Sequence, residues 1–119
     1  MQIVWFKRDL RIDDHLPLRE AALRGPVLPL HVVEPELWRQ PDASGRQWSF
    51  CAESLRELRD ALNALGQPLV VRVGDVVEIL EALHCRNGVA GLWSHEETGN
   101  GWTYRRDQRV AAWARARGI

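Results

Sequence analysis

Charged side chains crowd the point where the first apolar segment of the sequence ends. Residues 3–6 are apolar, and Lys7, Arg8 and Asp9 follow them directly. Further charges stand close behind, at Arg11, Asp13 and Asp14. Guanidinium and carboxylate groups provide the hydrogen bonds that hold a planar heteroaromatic ligand by its polar edges. A solvated loop would tolerate the same charges, so the position of this segment in the fold decides between the two interpretations.

Two other apolar segments, residues 27–33 and 89–93, also end in polar side chains. These are Glu34, His95, Glu96 and Glu97. The last three are adjacent and lack the i, i+4 spacing of a helical metal-binding pair, so we expect no metal. No nucleophile or partner base stands at a defined spacing from these carboxylates, and we therefore expect no catalytic residue in the chain.

Strand and helix patterns alternate along the whole chain. Short apolar runs predict β-strands at residues 2–6, 27–33, 69–73 and 89–93. Apolar residues that recur every three or four positions predict helices at about residues 17–23, 47–65 and 103–117, and another after Asp75. The alternation is typical of βαβ units and predicts an α/β fold, a Rossmann-like, doubly wound parallel sheet with helices on both faces. We expect the strand order 3-2-1-4, with a fifth strand truncated beyond Ile119.

Local signals refine these elements. Asp13 or Asp14 is predicted to cap the first helix. Pro29 has no N–H group, which predicts that the second strand lies at a sheet edge or contains a bulge. Residues 34–45 are predicted to be a loop. The helix at 47–65 is predicted to face the core with Trp48, Cys51, Leu55, Leu58, Leu62 and Leu65, and the last helix with Val110 and Trp113.

Six tryptophans are a large number for 119 residues. Four of them lie in predicted strands or on apolar helix faces, and we predict that these four belong to the core: Trp5, Trp48, Trp93 and Trp113. Trp38 and Trp102 lie in predicted loops at the carboxyl ends of the strands. For these two, contact with a ligand or a partner domain and the absence of any such contact are equal alternatives.

Composition argues against several classes of function. Sixteen basic and sixteen acidic residues cancel, so the chain lacks the net positive charge that drives nucleic-acid binding by itself. No apolar run is long enough to cross a membrane, so we expect no membrane partner. Cys51 and Cys85 match no metal signature and are predicted to be reduced thiols of a cytoplasmic protein. No glycine-rich phosphate loop follows the first predicted strand.

The predicted topology places the charged segments together at the carboxyl ends of the strands. In open α/β sheets, ligands bind beyond the carboxyl ends of the strands, where the strand order reverses. The charges that begin at Lys7 fall on that edge, which favours a ligand site over a surface loop. Asp9 and Arg11 have a structural alternative, in which they pair with each other or with Arg106 and Asp107.

Three stretches of the sequence resemble the DNA photolyase/cryptochrome family. VWFKRDLRIDDH at residues 4–15 is similar to the family's first strand and loop, with Lys7 in place of a common arginine and His15 in place of the usual asparagine. FCAESLRELRDALNALGQPLVVRVGD at residues 50–75 resembles its second long helix and third strand. HEETGNGWTYRRDQRVAAWARARGI at residues 95–119 resembles the loop and helix that close the domain.

The resemblance implies that residues 1–119 are the N-terminal α/β domain of a larger flavoprotein. In that family this domain holds a light-harvesting antenna chromophore, a folate or a deazaflavin, and a helical C-terminal domain holds FAD and receives damaged DNA. Light-excited reduced FAD splits a pyrimidine dimer, so a DNA photolyase, a lyase of DNA repair, is implied, with its chemistry outside these residues. The cofactor-binding residues predicted on this basis are Arg8, Glu34, Trp38, His95, Glu96 and Glu97.

Other functions stay open at this point. A cryptochrome, which is a blue-light photoreceptor, uses the same domain, and a standalone nucleotide- or flavin-binding module shares the architecture. A third alternative is an interaction domain, because the lack of a helical domain and of a fifth strand would uncover apolar surface and a sheet edge. The expected partners are the helical FAD domain, damaged DNA through that domain, and a second copy in a homodimer.

Overall fold

The predicted alternation of strands and helices is present in the computed structural model, which describes residues 1–97 and 99–119. The elements are β1 (Gln2–Phe6), α1 (Leu16–Arg24), β2 (Val27–Val33), α2 (Pro35–Trp38), α3 (Gly45–Ala64), β3 (Val70–Val73), α4 (Val76–Asn87), β4 (Gly91–Trp93) and α5 (Gly101–Ala116). The bounds of β1 and β2 coincide with the prediction. α2 was not predicted, since residues 34–45 carry no helical period.

One parallel sheet of four strands organises the chain, in the order β3-β2-β1-β4. Gln2 of β1 is in register with Val27 of β2 on one side and with Gly91 of β4 on the other. The predicted fold class and strand order are therefore confirmed. β2 lies on one side of β1 and β4 lies on the other, so the strand order reverses at β1. A ligand is therefore expected beyond the carboxyl end of that central strand.

Helices cover both faces of the sheet. Alternate residues of β1 point to opposite faces, so each set packs against a different group of helices. Ile3 and Trp5 join a buried cluster with Val76 of α4 and Val110 of α5. Val4 and Phe6 join a second cluster with residues of α1 and α3, namely Ala21, Leu58 and Leu62. Asp75 caps α4 as predicted, accepting a hydrogen bond from the Glu78 N–H group at 3.1 Å.

The prediction for Pro29 is wrong, because β2 is an inner strand and Pro29 is paired in register with Val4. The side chain of Gln67 donates to the Val27 carbonyl on the side of the strand that faces β3. Pro29 faces the same side by the two-residue alternation, and pairing with β3 begins only at Leu30. The missing N–H group therefore falls where β2 has no neighbouring strand to donate to.

The cap of α1 also differs from the prediction. His15, and neither Asp13 nor Asp14, is the N-cap residue, and its Nδ1 accepts from the Leu18 N–H group at 3.1 Å. The extended backbone of His15 leads directly into Leu16, whereas Asp14 has a left-handed φ of 49°. The aspartates therefore stand too far ahead of the helix for their carboxylates to reach its first N–H groups.

The core prediction is confirmed for Trp5 and Trp113, which are buried. Trp93 on the edge strand β4 is half-buried and packs against the cluster that contains Val4 and Phe6, so its prediction holds in part. The prediction for Trp48 is wrong, because this side chain is 38% exposed. α3 buries only Leu58 and Leu62. Its apolar period continues beyond the part of the helix that the sheet covers.

The edge strand β3 presents apolar side chains to solvent. Val71 and Val73 are 43% and 69% exposed. An uncovered strand edge of this kind is a template for pairing with another chain. The homodimer expected from the sequence stays a prediction. None of the helices in the described residues is long and apolar enough to cross a membrane.

Candidate functional site

A cleft of about 440 Å³ opens at the carboxyl ends of β1 and β2. The aromatic rings that line it are Trp5, Trp38 and Phe50, contributed by β1, α2 and α3. Arg8, Glu34 and Glu97 add charged groups to the same lining. A cleft with apolar walls and a few polar groups is the usual form of a site for a small planar ligand.

The buried guanidinium of Arg106 organises the polar side of the cleft. Its Nη1 donates to Glu34 Oε2 at 2.5 Å, and its Nε donates to Asp107 Oδ1 at 2.9 Å. Its Nη2 donates to a carboxylate oxygen of Glu97. The side chain of Arg106 is 3% exposed, so these three carboxylates together hold one charge that water scarcely reaches.

Local structure places Arg106 at this position. Asn100 caps α5 by accepting from the Thr103 N–H group at 3.0 Å, which fixes the first turn of the helix. Trp102 lies four residues before Arg106, so both side chains share one face of α5. The Arg106 Cζ atom lies 5.6 Å from the ring centre of Trp102 and 4.9 Å from that of Trp5. Two aromatic rings thus limit the rotation of the guanidinium.

Glu34 is the buried carboxylate of this cluster. It lies between β2 and α2, and Pro35 begins the short helix, so its side chain is free to turn towards Arg106. Burial raises the pKa of Glu34 to about 7, and the charge of Arg106 opposes that rise without cancelling it. A carboxyl group with this pKa changes its protonation near neutral pH, so Glu34 offers a donor in one state and an acceptor in the other.

This shift predicts a pH dependence of stability. The pKa of Glu34 is higher in the folded protein than in the unfolded chain, so the folded protein binds more protons than the unfolded chain between pH 4.5 and about 7. The contribution of Glu34 to the free energy of unfolding therefore falls as the pH rises through this range. The full shift corresponds to roughly 3 kcal/mol. Urea unfolding of the wild type and of Glu34→Gln should show this decline only in the wild type. Parallel profiles for both proteins would contradict the raised pKa.

The remaining charges after β1 tie that strand end to other segments. Lys7 Nζ lies 3.2 Å from Asp107 Oδ2, and it also lies over the Trp5 ring at 4.6 Å from the centre. Arg8 Nε lies 3.2 Å from Glu97 Oε1, with 64% of the arginine side chain exposed. Arg8 therefore stands at the rim of the cleft, whereas Lys7 forms part of its buried wall.

Asp9 binds two histidines, so its predicted pairing with Arg11 or Arg106 is wrong. Its Oδ2 lies 2.5 Å from His15 Nε2 and 2.6 Å from His95 Nδ1. Burial acts to raise the pKa of Asp9, but the hydrogen bonds from the two histidines and from the Lys7 N–H group outweigh it and hold this pKa well below its ordinary value. Arg11 instead approaches the Asp14 carbonyl at 3.4 Å.

The cluster of Asp9, His15 and His95 has the composition of a metal site, with ligand atoms all within 4.8 Å of one another. The capping bond of α1 argues against a metal. An N–H group donates to His15 Nδ1, so the proton of the neutral ring is on Nε2, which then has no lone pair for a metal. We interpret the cluster as a hydrogen-bonded clip that joins the end of β1 to α1 and to the segment after β4. The absence of a metal site stays a prediction.

The structure divides the six predicted cofactor-binding residues between two cavities. Four of them line the 440 Å³ cleft: Arg8, Glu34, Trp38 and Glu97. His95 and Glu96 line a neighbouring cavity of about 380 Å³ at the open edge of β4. Trp5 and Lys7 contribute to both cavities and separate them. Whether any of the six residues binds a cofactor stays a prediction.

Sequence reasoning missed many residues of the cleft, of which three have polar or aromatic side chains that would matter for binding. Arg106 was predicted only as an ion-pair partner, while Phe50 and His31 were not predicted to line the site. His31 had a usable signal, since it is the only ionisable residue in the apolar run of residues 27–33. Trp102 was predicted in a loop and lies instead in the first turn of α5.

Comparison with known proteins gives a consistent result. The family model for DNA photolyase matches residues 2–119. Cryptochrome-1 of Sinapis alba is 44% identical over 97 residues, which cover 78% of this chain and 19% of that protein. The deoxyribodipyrimidine photo-lyase of Salmonella typhimurium is 40% identical over 72 residues, which cover 57% of this chain and 15% of that protein.

A solved structure agrees with these matches. A bacterial class III photolyase from Agrobacterium tumefaciens superposes with a TM-score of 0.86 at 28% identity, covering 99% of this chain and 24% of that chain. A cryptochrome from Synechocystis has the same fold, with a TM-score of 0.91 at 20% identity. The chain thus spans about a quarter or less of the length of these relatives.

Proposed function

Because this chain belongs to the DNA photolyase family, we propose that it is the antenna-binding α/β domain of a larger flavoprotein that repairs pyrimidine dimers in light. In this proposal residues 1–119 form the N-terminal domain. A helical domain elsewhere in the protein binds FAD and damaged DNA and carries the lyase chemistry. The ligand of the present chain is a folate or a deazaflavin, which absorbs light when it is bound.

The position and lining of the 440 Å³ cleft carry this proposal. The cleft lies beyond the carboxyl end of the central strand β1, where doubly wound sheets bind ligands. Trp38 and Phe50 offer flat apolar surfaces to a ring system, and Trp38 is held edge-on against Trp48 with ring centres 5.2 Å apart. The residues present therefore fit a planar heteroaromatic group with polar edges.

Charged residues give the ligand an orientation within the cleft. Glu34 and Arg106 are buried on its polar side and present hydrogen-bonding groups to the edge of a ring. Arg8 is mostly exposed at the rim, where it suits a negatively charged substituent that stays in water. The buried wall formed by Trp5 and Lys7 limits the access of water to the ring.

A blue-light photoreceptor is the second candidate function, because Cryptochrome-1 of Sinapis alba and the Salmonella typhimurium photo-lyase match to similar degrees. Both functions use the same antenna domain in this proposal. A standalone nucleotide-binding module has less support, since no glycine lies between β1 and the end of α1 to form a phosphate loop.

Ligand binding by the 119-residue chain tests the proposal. Titration with a reduced folate and with 5-deazariboflavin should quench tryptophan fluorescence at a stoichiometry of one. Trp38→Ala should weaken binding about tenfold through loss of the stacking surface. Tyr104→Ala, which removes an exposed ring outside the cleft lining, is the control and should bind normally.

Two results would contradict the proposal. One is the absence of binding by both ring compounds at millimolar concentration. The other is tight binding of ATP, which would favour the nucleotide-binding module. Circular dichroism of each variant would show that lost binding does not reflect lost folding.

A further inference from the structure

His31 is a buried ionisable residue of the cleft that belongs to none of the ion pairs formed by Asp9 and Arg106. It lies in β2, beside Phe6 in the register of the sheet, and it is 6% exposed. Its ring lines the same 440 Å³ cleft as Glu34 and Trp38. A histidine in an otherwise apolar inner strand requires a hydrogen-bonding partner for each ring nitrogen.

One ring nitrogen of His31 has such a partner. Nδ1 lies 2.8 Å from the backbone carbonyl oxygen of Phe6, the last residue of β1. A carbonyl oxygen only accepts, so Nδ1 carries the hydrogen and donates it. In a neutral imidazole the other nitrogen, Nε2, then has a free lone pair.

The ring of His31 is held neutral by its surroundings. Burial lowers the pKa of His31, and the positive charge of Arg106 acts in the same direction. The hydrogen bond to Phe6 and the negative charge of Asp9 oppose this effect, but the pKa remains below its ordinary value of 6.5. At neutral pH the ring therefore presents an acceptor at Nε2, not a second donor.

Nε2 has no protein partner among residues 1–97 and 99–119. In that part of the chain, every side-chain nitrogen or oxygen that is fully enclosed does have a hydrogen-bond partner. Nε2 must therefore retain contact with solvent. Since His31 lies in an inner strand and lines the cleft, the cleft is where that contact occurs.

We propose that Nε2 of His31 accepts a hydrogen bond from a ring N–H group of the bound ligand, and thereby selects heteroaromatic rings that carry a lactam or an imide. The inference rests on the proposed function, because it assigns a ligand edge to the same cleft. Arg8 and Arg106 supply only donors to the lining and so recognise acceptor atoms. His31 adds an uncharged acceptor, which needs less desolvation than a carboxylate when the ligand binds.

A pair of probes isolates this hydrogen bond. 5-Deazariboflavin carries the imide N–H group, and its derivative methylated at the imide nitrogen does not. The wild-type chain should bind the unmethylated compound about tenfold more tightly in calorimetric titration, because the methylated compound leaves the buried acceptor unpaired.

Two substitutions of His31 distinguish the role of Nε2, which faces the cleft, from that of Nδ1, which donates to the Phe6 carbonyl. The amide of His31→Asn can donate to the Phe6 carbonyl as Nδ1 does, but it has no atom at the position of Nε2. This variant should unfold close to the wild-type temperature and bind the two compounds equally. His31→Gln places an amide oxygen near the Nε2 position, so it should recover part of the preference for the N–H compound.

The outcomes distinguish this inference from the function on which it rests. Equal binding of the two compounds by the wild type, or an unchanged preference in His31→Asn, would overturn the role of His31 and leave the ring-binding cleft standing. Failure of the wild type to bind either compound or a reduced folate would overturn the proposed function, and the role of His31 with it.

Discussion

Replacing Arg106 with methionine is expected to destabilise the chain by about 3–5 kcal/mol. Methionine has a similar length and keeps the apolar contact with Trp5 and Trp102, but it removes the charge shared by three carboxylates. Among the described residues, Glu34 would then have no ion-pair partner, and Glu97 would keep only the mostly exposed Arg8, although the side chains of both carboxylates are less than one-tenth exposed. Much of the cost is this uncompensated burial of negative charge.

Urea unfolding measures the loss, and the neighbouring position supplies a matched control. Arg105 is exposed on the same helix, so Arg105→Met should change the free energy of unfolding by only about 0.5 kcal/mol. At alkaline pH, where Glu34 is ionised, adding Glu34→Gln to Arg106→Met should recover part of the stability, because it removes one of the buried negative charges. A loss below about 1 kcal/mol for Arg106→Met would mean that water reaches the carboxylates after all.

Trp5→Ala is expected to cost about 3–5 kcal/mol and to abolish ligand binding. Trp5 is 2% exposed in the central strand and packs into the cluster that contains Val76 and Val110. Its ring also forms the wall between the two cavities and lies against the charged groups of Lys7 and Arg106. Removing the ring leaves a void that the surrounding sheet cannot close, and it joins the two cavities.

Trp93→Ala is the matched control for this prediction. Trp93 lies on the edge strand β4 and is half-buried, with its Nε1 donating to Gln2 Oε1 at 2.7 Å. Removing a ring that already contacts water should cost less than half as much stability and should leave the 440 Å³ cleft intact, because Trp93 does not line it. Equal losses for the two variants in urea unfolding would show that burial at Trp5 is not the cause.

The charges after β1 have one structural consequence in common. Lys7, Arg8 and Asp9 are consecutive, and each contacts a different partner beyond the strand. Lys7 reaches Asp107 of α5, while Arg8 reaches Glu97 in the segment before that helix. Asp9 joins α1 to the segment after β4 through its two histidines. The density of charge thus fixes the segments around the cleft and leaves Arg8 at its rim.

The sequence by itself determined the α/β fold, the strand order and the approximate positions of all elements except α2. The bounds of β1 and β2 coincide with the predicted ones, and Asp75 caps α4 as predicted. The elements and their caps depend on local periodicity and on hydrogen bonds between residues a few positions apart, which a sequence displays directly. The strand order was expected from the doubly wound fold class that the alternation of these elements predicts. The inward faces of Val110 and Trp113 on α5 follow from the same periodicity.

Only the tertiary structure decided which groups meet at the cleft. Arg106 pairs with Glu34 across 72 positions of the chain, and Asp9 pairs with His95 across 86. The sequence offered several oppositely charged partners for each, and long side chains make most of those pairings sterically accessible. Likewise, the regular spacing of apolar residues in α3 could not show that Trp48 lies in a part of the helix that the sheet does not cover. Such choices depend on the distance between elements after packing, because the energy of a buried ion pair or an apolar contact is set by burial and geometry and not by residue type alone.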